Sequence, residues 1–156
     1  MNKVDFLEKT LERQIGFVRA SETRVSFTLP AMSLVLGIWL YGFKQAETDN
    51  VVAVLSGSLS LVGFIVLIYF VWLSMFPQTE GAKKSLIFFG SISNTSLEEY
   101  RELVLQQKEE DYMHDLIQQI HINSQIAMNK FSSVKSAMLF WYISLVPLTV
   151  FLVVSI

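Results

Sequence analysis

Cysteine is absent from this 156-residue chain, which excludes disulfides, thiolate metal ligands and a thiol nucleophile. Histidine is almost absent. His114 and His121 stand seven residues apart, two turns along one helix face, where they could share a metal with Asp111 or Asp115. That spacing lacks the i, i+4 proximity of helical zinc pairs, and no third ligand group joins them. No metal and no cofactor is expected. Gly81 and Gly90 are isolated glycines, so no glycine-rich loop cradles a phosphate. Glu109-Glu110-Asp111 reads as a solvated acidic face. With no nucleophile, acid–base pair or metal cluster, the chain is not expected to be an enzyme.

What the chain has instead is apolar sequence in blocks. Val25–Phe43, Val51–Phe76 and Ser136–Ile156 are each free of charged residues. A hydrocarbon core of about 30 Å takes ~20 apolar residues in a helix rising about 1.5 Å per residue. The three blocks therefore read as transmembrane helices. The remaining polar chain is too short to cover three such runs in a water-soluble fold. A cleaved signal peptide is not expected, because the first 24 residues are charged throughout and the apolar run begins late.

Charge orients these spans. Lys3, Lys9, Arg13, Arg19 and Arg24 precede the first. Lys83, Lys84, Arg101, Lys108, Lys130 and Lys135 lie between the second and third, and only Lys44 follows the first. By the positive-inside rule, the N-terminus and the long 77–135 segment face the cytoplasm and the C-terminus emerges on the far side. The expected layout is cytosolic 1–24, first span 25–43, external turn 44–50, second span 51–76, cytosolic 77–135 and third span 136–156. The fold class is an all-α membrane protein whose three transmembrane helices carry a small cytosolic helical bundle.

Val4, Leu7, Leu11, Ile15 and Val18 draw one apolar stripe on a helix that nothing breaks before the first span. Pro30 and Pro147 fall inside helical stretches, where each removes a backbone hydrogen bond and favours a kink. Gln78–Ser96 reads as the long non-helical segment. Ser96-Leu97-Glu98-Glu99 fits a capping box that starts a helix near Leu97, with acidic residues suiting its dipole. From Glu109, the residues Met113, Leu116, Ile117, Ile120, Ala127, Phe131 and Val134 form a stripe spaced near 3.5 residues. One long helix is expected to run from there into the third span, its stripe packed on the N-terminal helix and the Leu97 helix. Ser33 and Gly37 in the first span, and Ala53, Ser56, Gly57, Ser60 and Gly63 in the second, allow close helix approach within or between protomers. No charge lies inside a span, so a permanently open ion-selective pore has no support.

A polar layer borders the membrane. It comprises Arg19, Glu22, Thr23 and Arg24 on the first helix, and Gln119, His121, Asn123, Gln125, Asn129 and Lys130 on the last. Guanidinium and ammonium groups beside amides and imidazole suit an anionic ligand that bears a base. Part of the layer has a plainer reading: Arg24 and Lys135 can snorkel to lipid headgroups, and Glu22 can pair with a neighbouring basic residue.

Three ordered segments carry a resemblance. Ser21-Glu22-Thr23-Arg24-Val25 resembles the Ala-Asp-Thr-Lys-Ala signature of the Pycsar membrane effectors (PycTM). Phe88-Phe89-Gly90-Ser91-Ile92 is similar to that family's aromatic-Phe-Gly-x-Ile element. Gln119-Ile120-His121-Ile122-Asn123-Ser124-Gln125-Ile126-Ala127-Met128-Asn129-Lys130-Phe131 resembles its segment before the last span. Glu22 and Arg24 keep the charge type of the signature while changing its length. The resemblance implies a role in bacterial antiphage defence. A cyclic pyrimidine nucleotide made on infection is sensed by an inner-membrane, multi-pass, homo-oligomeric effector that compromises the bilayer. The expected partners are a cyclic nucleotide, with a cyclic pyrimidine monophosphate favoured, and lipid, and not a nucleic-acid polymer. The expected ligand residues are Arg19, Arg24 and Lys130 at the phosphate, and His121, Asn123 and Phe89 at the base, with Glu22, Thr23 and Gly90 beside them. The rival reading is a membrane scaffold whose cytosolic helices dock a protein.

Overall fold

The structure, a computed structural model, describes residues 2–46, 49–76 and 85–155. Gly81, Lys83, Lys84 and the first part of the expected non-helical segment lie outside the described residues. Among the described residues five helices follow one another: α1 (Lys3–Gln45), α2 (Val51–Met75), α3 (Phe89–Ile92), α4 (Leu97–Gln106) and α5 (Glu109–Ser155). No strand occurs among the described residues. Helices α1, α2 and α5 are each long and apolar enough to cross a membrane. Both α1 and α5 run unbroken past their prolines, Pro30 and Pro147.

The helix ends follow local chemistry. Asn50 caps α2, its side chain accepting from the backbone N–H of Val52 and Ala53, two donors that otherwise have no helical partner. Ser96 caps α4 by accepting from Glu99 N–H at 3.2 Å. Between α4 and α5 only Gln107 and Lys108 intervene, and Gln107 is extended. No proline or glycine breaks the chain there. The triad Glu109-Glu110-Asp111 occupies the first turn of α5, where negative charge suits the exposed N–H groups. The segment expected to lack helix contains one short turn, α3, that the sequence reading did not place.

The chain divides into two units: Met1–Ala20 with Pro77–Asn129, and Ser21–Phe76 with Lys130–Ile156. In the second unit, burial recurs along each helix at alternating steps of three and four. The rows are Ser21, Val25, Thr28, Met32, Val35, Trp39 and Gly42 on α1; Ala53, Gly57, Ser60, Phe64, Leu67, Val71 and Ser74 on α2; and Lys130, Val134, Ala137, Trp141, Ser144, Leu148, Phe151 and Ser155 on α5. A mean step of 3.5 residues is the spacing of left-handed supercoiled packing. One apolar cluster joins Val25, Met32, Phe64, Leu67, Val71, Val134 and Ala137. A second joins Ala53, Leu148 and Phe151. Phe151 fits because Gly42 and Gly57 leave room: a Cβ at either would approach its ring to 2.9 or 3.0 Å. Trp39 stacks on Phe151 at 6.0 Å and donates its indole N–H to Gly57 C=O, so its one polar atom is satisfied among apolar neighbours.

The outward faces of this unit are apolar too. Phe27, Leu34, Val146 and Val153 are each more than two-thirds exposed, as lipid-facing positions require and water-facing ones do not. The small residues of the span region split in two. Ala53, Ser56, Gly57 and Ser60 are buried within the protomer, whereas Ser33 and Gly37 are exposed and a Cβ on Gly37 would meet nothing within 4 Å.

In the first unit the half-buried row on α1 is Val4, Leu7, Leu11, Gln14 and Val18. Ile15, expected on that stripe, is 42% exposed, because the strict three–four alternation selects Gln14. On α5, Leu116 is buried as expected but Ile117 is 52% exposed and Gln119 is buried. Side-chain polarity is overruled in both places by the phase of the seam. Helix α4 buries none of its residues, so the expected packing of its face is not what holds it. It is tethered instead by Tyr100, whose hydroxyl donates to Leu86 C=O at 3.0 Å.

Candidate functional site

Lys130, expected at a phosphate, is 3% exposed. Its Nζ donates to Glu22 Oε1 at 2.9 Å and to Ser74 C=O at 2.8 Å. Ser74 lies in the last turn of α2, where the final carbonyls have no helical N–H to accept from and carry the negative end of the dipole. A lysine on α5 supplies the missing donor. The Glu22 pairing weighed from the sequence is the one formed, so Glu22 and Lys130 are brought together as an ion pair. Arg24 lies with its guanidinium 5.6 Å from the Phe131 ring centroid, a cation–π distance. Thr23 is exposed on α1 between them.

The other expected residues belong to the first unit. Arg19 and His121 are exposed. The His121 ring sits 3.1 Å from the Gln125 amide, as His114 does from Gln118 at 3.2 Å; each pairing joins neighbours one turn apart. Asn123 donates its amide to Gln119 C=O at 2.8 Å and so is bonded to its own helix. Phe89 is 65% exposed, its ring 4.7 Å from that of Phe88. Gly90 accommodates the Phe88 ring, which would lie 2.6 Å from an added Cβ. Its carbonyl accepts from Ser93 and Asn94 side chains. This gives the aromatic-Phe-Gly element a structural reason: the glycine makes room for the ring two residues before it.

The sequence reading missed the contacts that hold the 85–88 segment. Asp115, 8% exposed, accepts Leu86 N–H through Oδ2 at 2.8 Å, and Tyr100 donates to the carbonyl of the same residue. Ser85 accepts from Ile87 and Phe88 N–H. One signal was available: Asp115 is a carboxylate next to Leu116 on the apolar stripe, and buried carboxylates are rarely without a partner. Beside this segment an open cavity of about 430 Å³ is walled by Leu86 and Leu103 and carries the carboxylates of Asp111 and Asp115. Among the described residues no group of three or more His, Asp or Glu side chains is placed to hold a metal ion.

Tyr112 donates its hydroxyl to Glu8 Oε1 at 2.7 Å, tying α5 to α1. That bond, with burial and the charges of Glu8 and Asp115, pushes the phenol up to about 12 from 10.0. A raised folded value means the contact stabilises fully below pH 10 and is lost as pH climbs through about 12. Absorbance titration at 295 nm is expected to show an ionisation near pH 12 that Tyr112→Phe removes. A variant curve that keeps it would refute the assignment.

Comparison with known proteins now decides the family. Residues 6–156 match the Pycsar effector protein domain (PycTM). The chain belongs to the Pycsar effector family. It is also 26% identical to the Pycsar effector protein GmPycTM of Gulbenkiania mobilis, across 80% of this chain and 78% of that protein. No solved structure matches it significantly. Membership supports an effector role in antiphage defence, and with the three apolar helices it makes this Pycsar effector a membrane protein. The match spans both units, so the Lys130 and Asp115 contacts both lie within the Pycsar effector domain.

Proposed function

We propose that the chain is a cyclic-nucleotide-sensing effector that oligomerises in the bacterial inner membrane and permeabilises it on infection, causing abortive infection. The observation that carries this reading is the match over residues 6–156, which takes in the three apolar helices and the polar unit alike. Charge distribution supports cytosolic placement of 1–24 and 77–135, with the N-terminus inside. A cyclic pyrimidine monophosphate is the favoured ligand, as the resemblance to the Pycsar membrane effectors implies. Arg19 and Arg24 are exposed cations suited to its phosphate, and exposed His121 and Phe89 offer polar and stacking contacts to a base. Thr23, Gly90 and Asn123 lie beside these in sequence. Glu22 and Lys130 hold each other, and their part is to fix the helices. Binding shifts the resting arrangement only through tighter binding to the active one.

Isothermal titration of detergent-purified protein with cyclic CMP, cyclic UMP, cyclic AMP and cyclic GMP is the direct test, paired with dye leakage from vesicles containing the protein. Saturable binding of a cyclic pyrimidine nucleotide, with leakage that depends on it, is expected. Absence of binding to all four would overturn the reading. The exposed Leu97, Leu103, Val104 and Leu105 of α4 favour a second reading, a scaffold that docks a protein through this helix, and that outcome would leave it standing.

A further inference from the structure

We infer that the groove between α1 and α5 in the second unit is a binding site for one anionic phospholipid, whose phosphate meets Arg24 and Lys135 and whose acyl chain lies in the groove. The hollow has a volume of about 270 Å³. Its buried lining is the apolar cluster of Val25, Leu67, Val71, Val134 and Ala137. Exposed Phe27 on α1 and exposed Met138 and Tyr142 on α5 stand at its sides. Small side chains keep it open: Thr28 and Ala31 line it, and the Thr28 hydroxyl donates to Arg24 C=O at 3.1 Å, so its one hydrogen is already used. Among the described residues no charged side chain lines the groove. From Val134 to Tyr142 its α5 wall runs about 12 Å at about 1.5 Å per residue. That fits within one leaflet, about 15 Å of a hydrocarbon core of about 30 Å.

Charge marks one end of the groove. Arg24 stands one turn before Thr28 and two before Ala31 on the same face of α1, and Lys135 stands one turn before Met138 and two before Tyr142 on α5. Both are exposed, and each directly precedes an apolar block. The Arg24 guanidinium lies 5.6 Å from the Phe131 ring, which draws it toward the helix that carries Lys135. The acid at this end, Glu22, is paired with Lys130, so the charges of Arg24 and Lys135 are left to face the headgroup layer. One phosphate satisfies both cations while its chain covers the apolar hollow. A helix of a second copy fits this place poorly. It is about 10 Å across with its side chains, and parallel copies in one membrane bring their own Arg24 and Lys135 to the same depth, like charge against like. The inference rests on the membrane placement of the helices and not on nucleotide sensing; the two readings share Arg24, and the test keeps them apart.

The test uses the full chain reconstituted in phosphatidylcholine vesicles and the fluorescence of Trp141, which lines the groove. The Trp141 share of the emission is the part lost in Trp141→Phe. Phosphatidylglycerol or phosphatidylcholine brominated along the acyl chain is added in steps, since bromine quenches an indole only on contact. Half-quenching of the Trp141 share is expected at about tenfold lower mole fraction of the brominated phosphatidylglycerol, an effect within what two cations at a membrane surface supply. The double variant Arg24→Gln with Lys135→Gln should bring the two lipids level. Ala31→Phe fills the hollow and should cut quenching by both; circular dichroism checks helix content in each variant. Should Ala31→Phe misfold, the double variant still decides, because both of its positions are exposed. Equal quenching by the two lipids in the unaltered chain would mean bulk lipid only and would overturn the inference. A phosphatidylglycerol preference that survives the double variant would do the same, and loss of cyclic CMP binding in that variant would then assign Arg24 to the nucleotide. Absence of quenching by either lipid would also overturn it, and would give the groove to a second copy if cross-linking joins copies there.

Discussion

Replacing Lys130 with methionine is expected to lower the stability of the detergent-solubilised protein by about 1.5–3 kcal/mol, the range for a lost hydrogen bond to a charged group. Methionine keeps the bulk of the stem but removes the donor to Ser74 C=O, leaving the last turn of α2 with an unmatched carbonyl. Glu22→Gln should cost less, about 1 kcal/mol, because the amide oxygen of this half-exposed side chain can still accept from Lys130 Nζ. The asymmetry is the signature of this site. Lys130→Glu is expected to be worse than either, costing about 3–5 kcal/mol, since it buries a carboxylate against both Glu22 and a carbonyl oxygen. The charge swap Glu22→Lys with Lys130→Glu restores the ion pair but not the donor to Ser74, so it should recover only part of the loss. Thermal melts of the four variants check this. A full recovery in the swap would show that the carbonyl contact contributes little. Charge reversal at Lys130, attractive from the sequence as a probe of phosphate contact, therefore reads the fold before it reads any ligand.

The second large effect is expected at Gly63. A Cβ there would collide with Ser144 Oγ and sit 3.2 Å from Ser144 Cβ and 3.6 Å from its Cα. Ser144 cannot simply turn away, because its hydroxyl donates to Phe140 C=O at 2.6 Å and the residue is 4% exposed. Gly63→Ala must then push α2 from α5, an overpacking change that costs about 1–3 kcal/mol. Adding Ser144→Gly should relieve most of it. Gly37→Ala is the control: open space surrounds that position, so the melting temperature should hold or rise, as alanine is the better helix former by about 1 kcal/mol. Equal losses at Gly37 and Gly63 would sink the argument, since both glycines would then matter for a reason other than contact within the chain.

The elements that proved readable were those whose cause is local. The start of α4 follows from Ser96 as a cap, and the long helices follow from apolar stripes and blocks that no glycine or proline breaks at their starts. The phase of burial was half legible: the 3.5-residue step is in the sequence, but Gln14 rather than Ile15, and Gln119 beside Leu116 rather than Ile117, complete the seam. Which of two adjacent residues faces inward depends on the helices around it, and hydrophobicity alone ranks them wrongly. Lys130 was read from the sequence as a phosphate contact, yet one of its two partners is a backbone carbonyl 56 positions away, and carbonyls carry no side-chain signal. The Leu86 contacts were illegible for the same reason. Asp115 and Tyr100 bind the N–H and C=O of one leucine, and nothing in the identity of that leucine announces it.

The matched seams of α1, α2 and α5 in the second unit bear on how this protein can move. Sliding one helix along another by a single residue, about 1.5 Å, takes each inward side chain out of its hole, and placing the next residue there needs a turn of about 100° as well. The next axial position that seats the same residues lies a full heptad away, about 10 Å, a third of the hydrocarbon thickness of about 30 Å. Small axial slips are therefore penalised and large ones would pull charged ends into lipid. Helices built this way change partners by separating or by rolling as whole cylinders, one face at a time, and not by a graded glide.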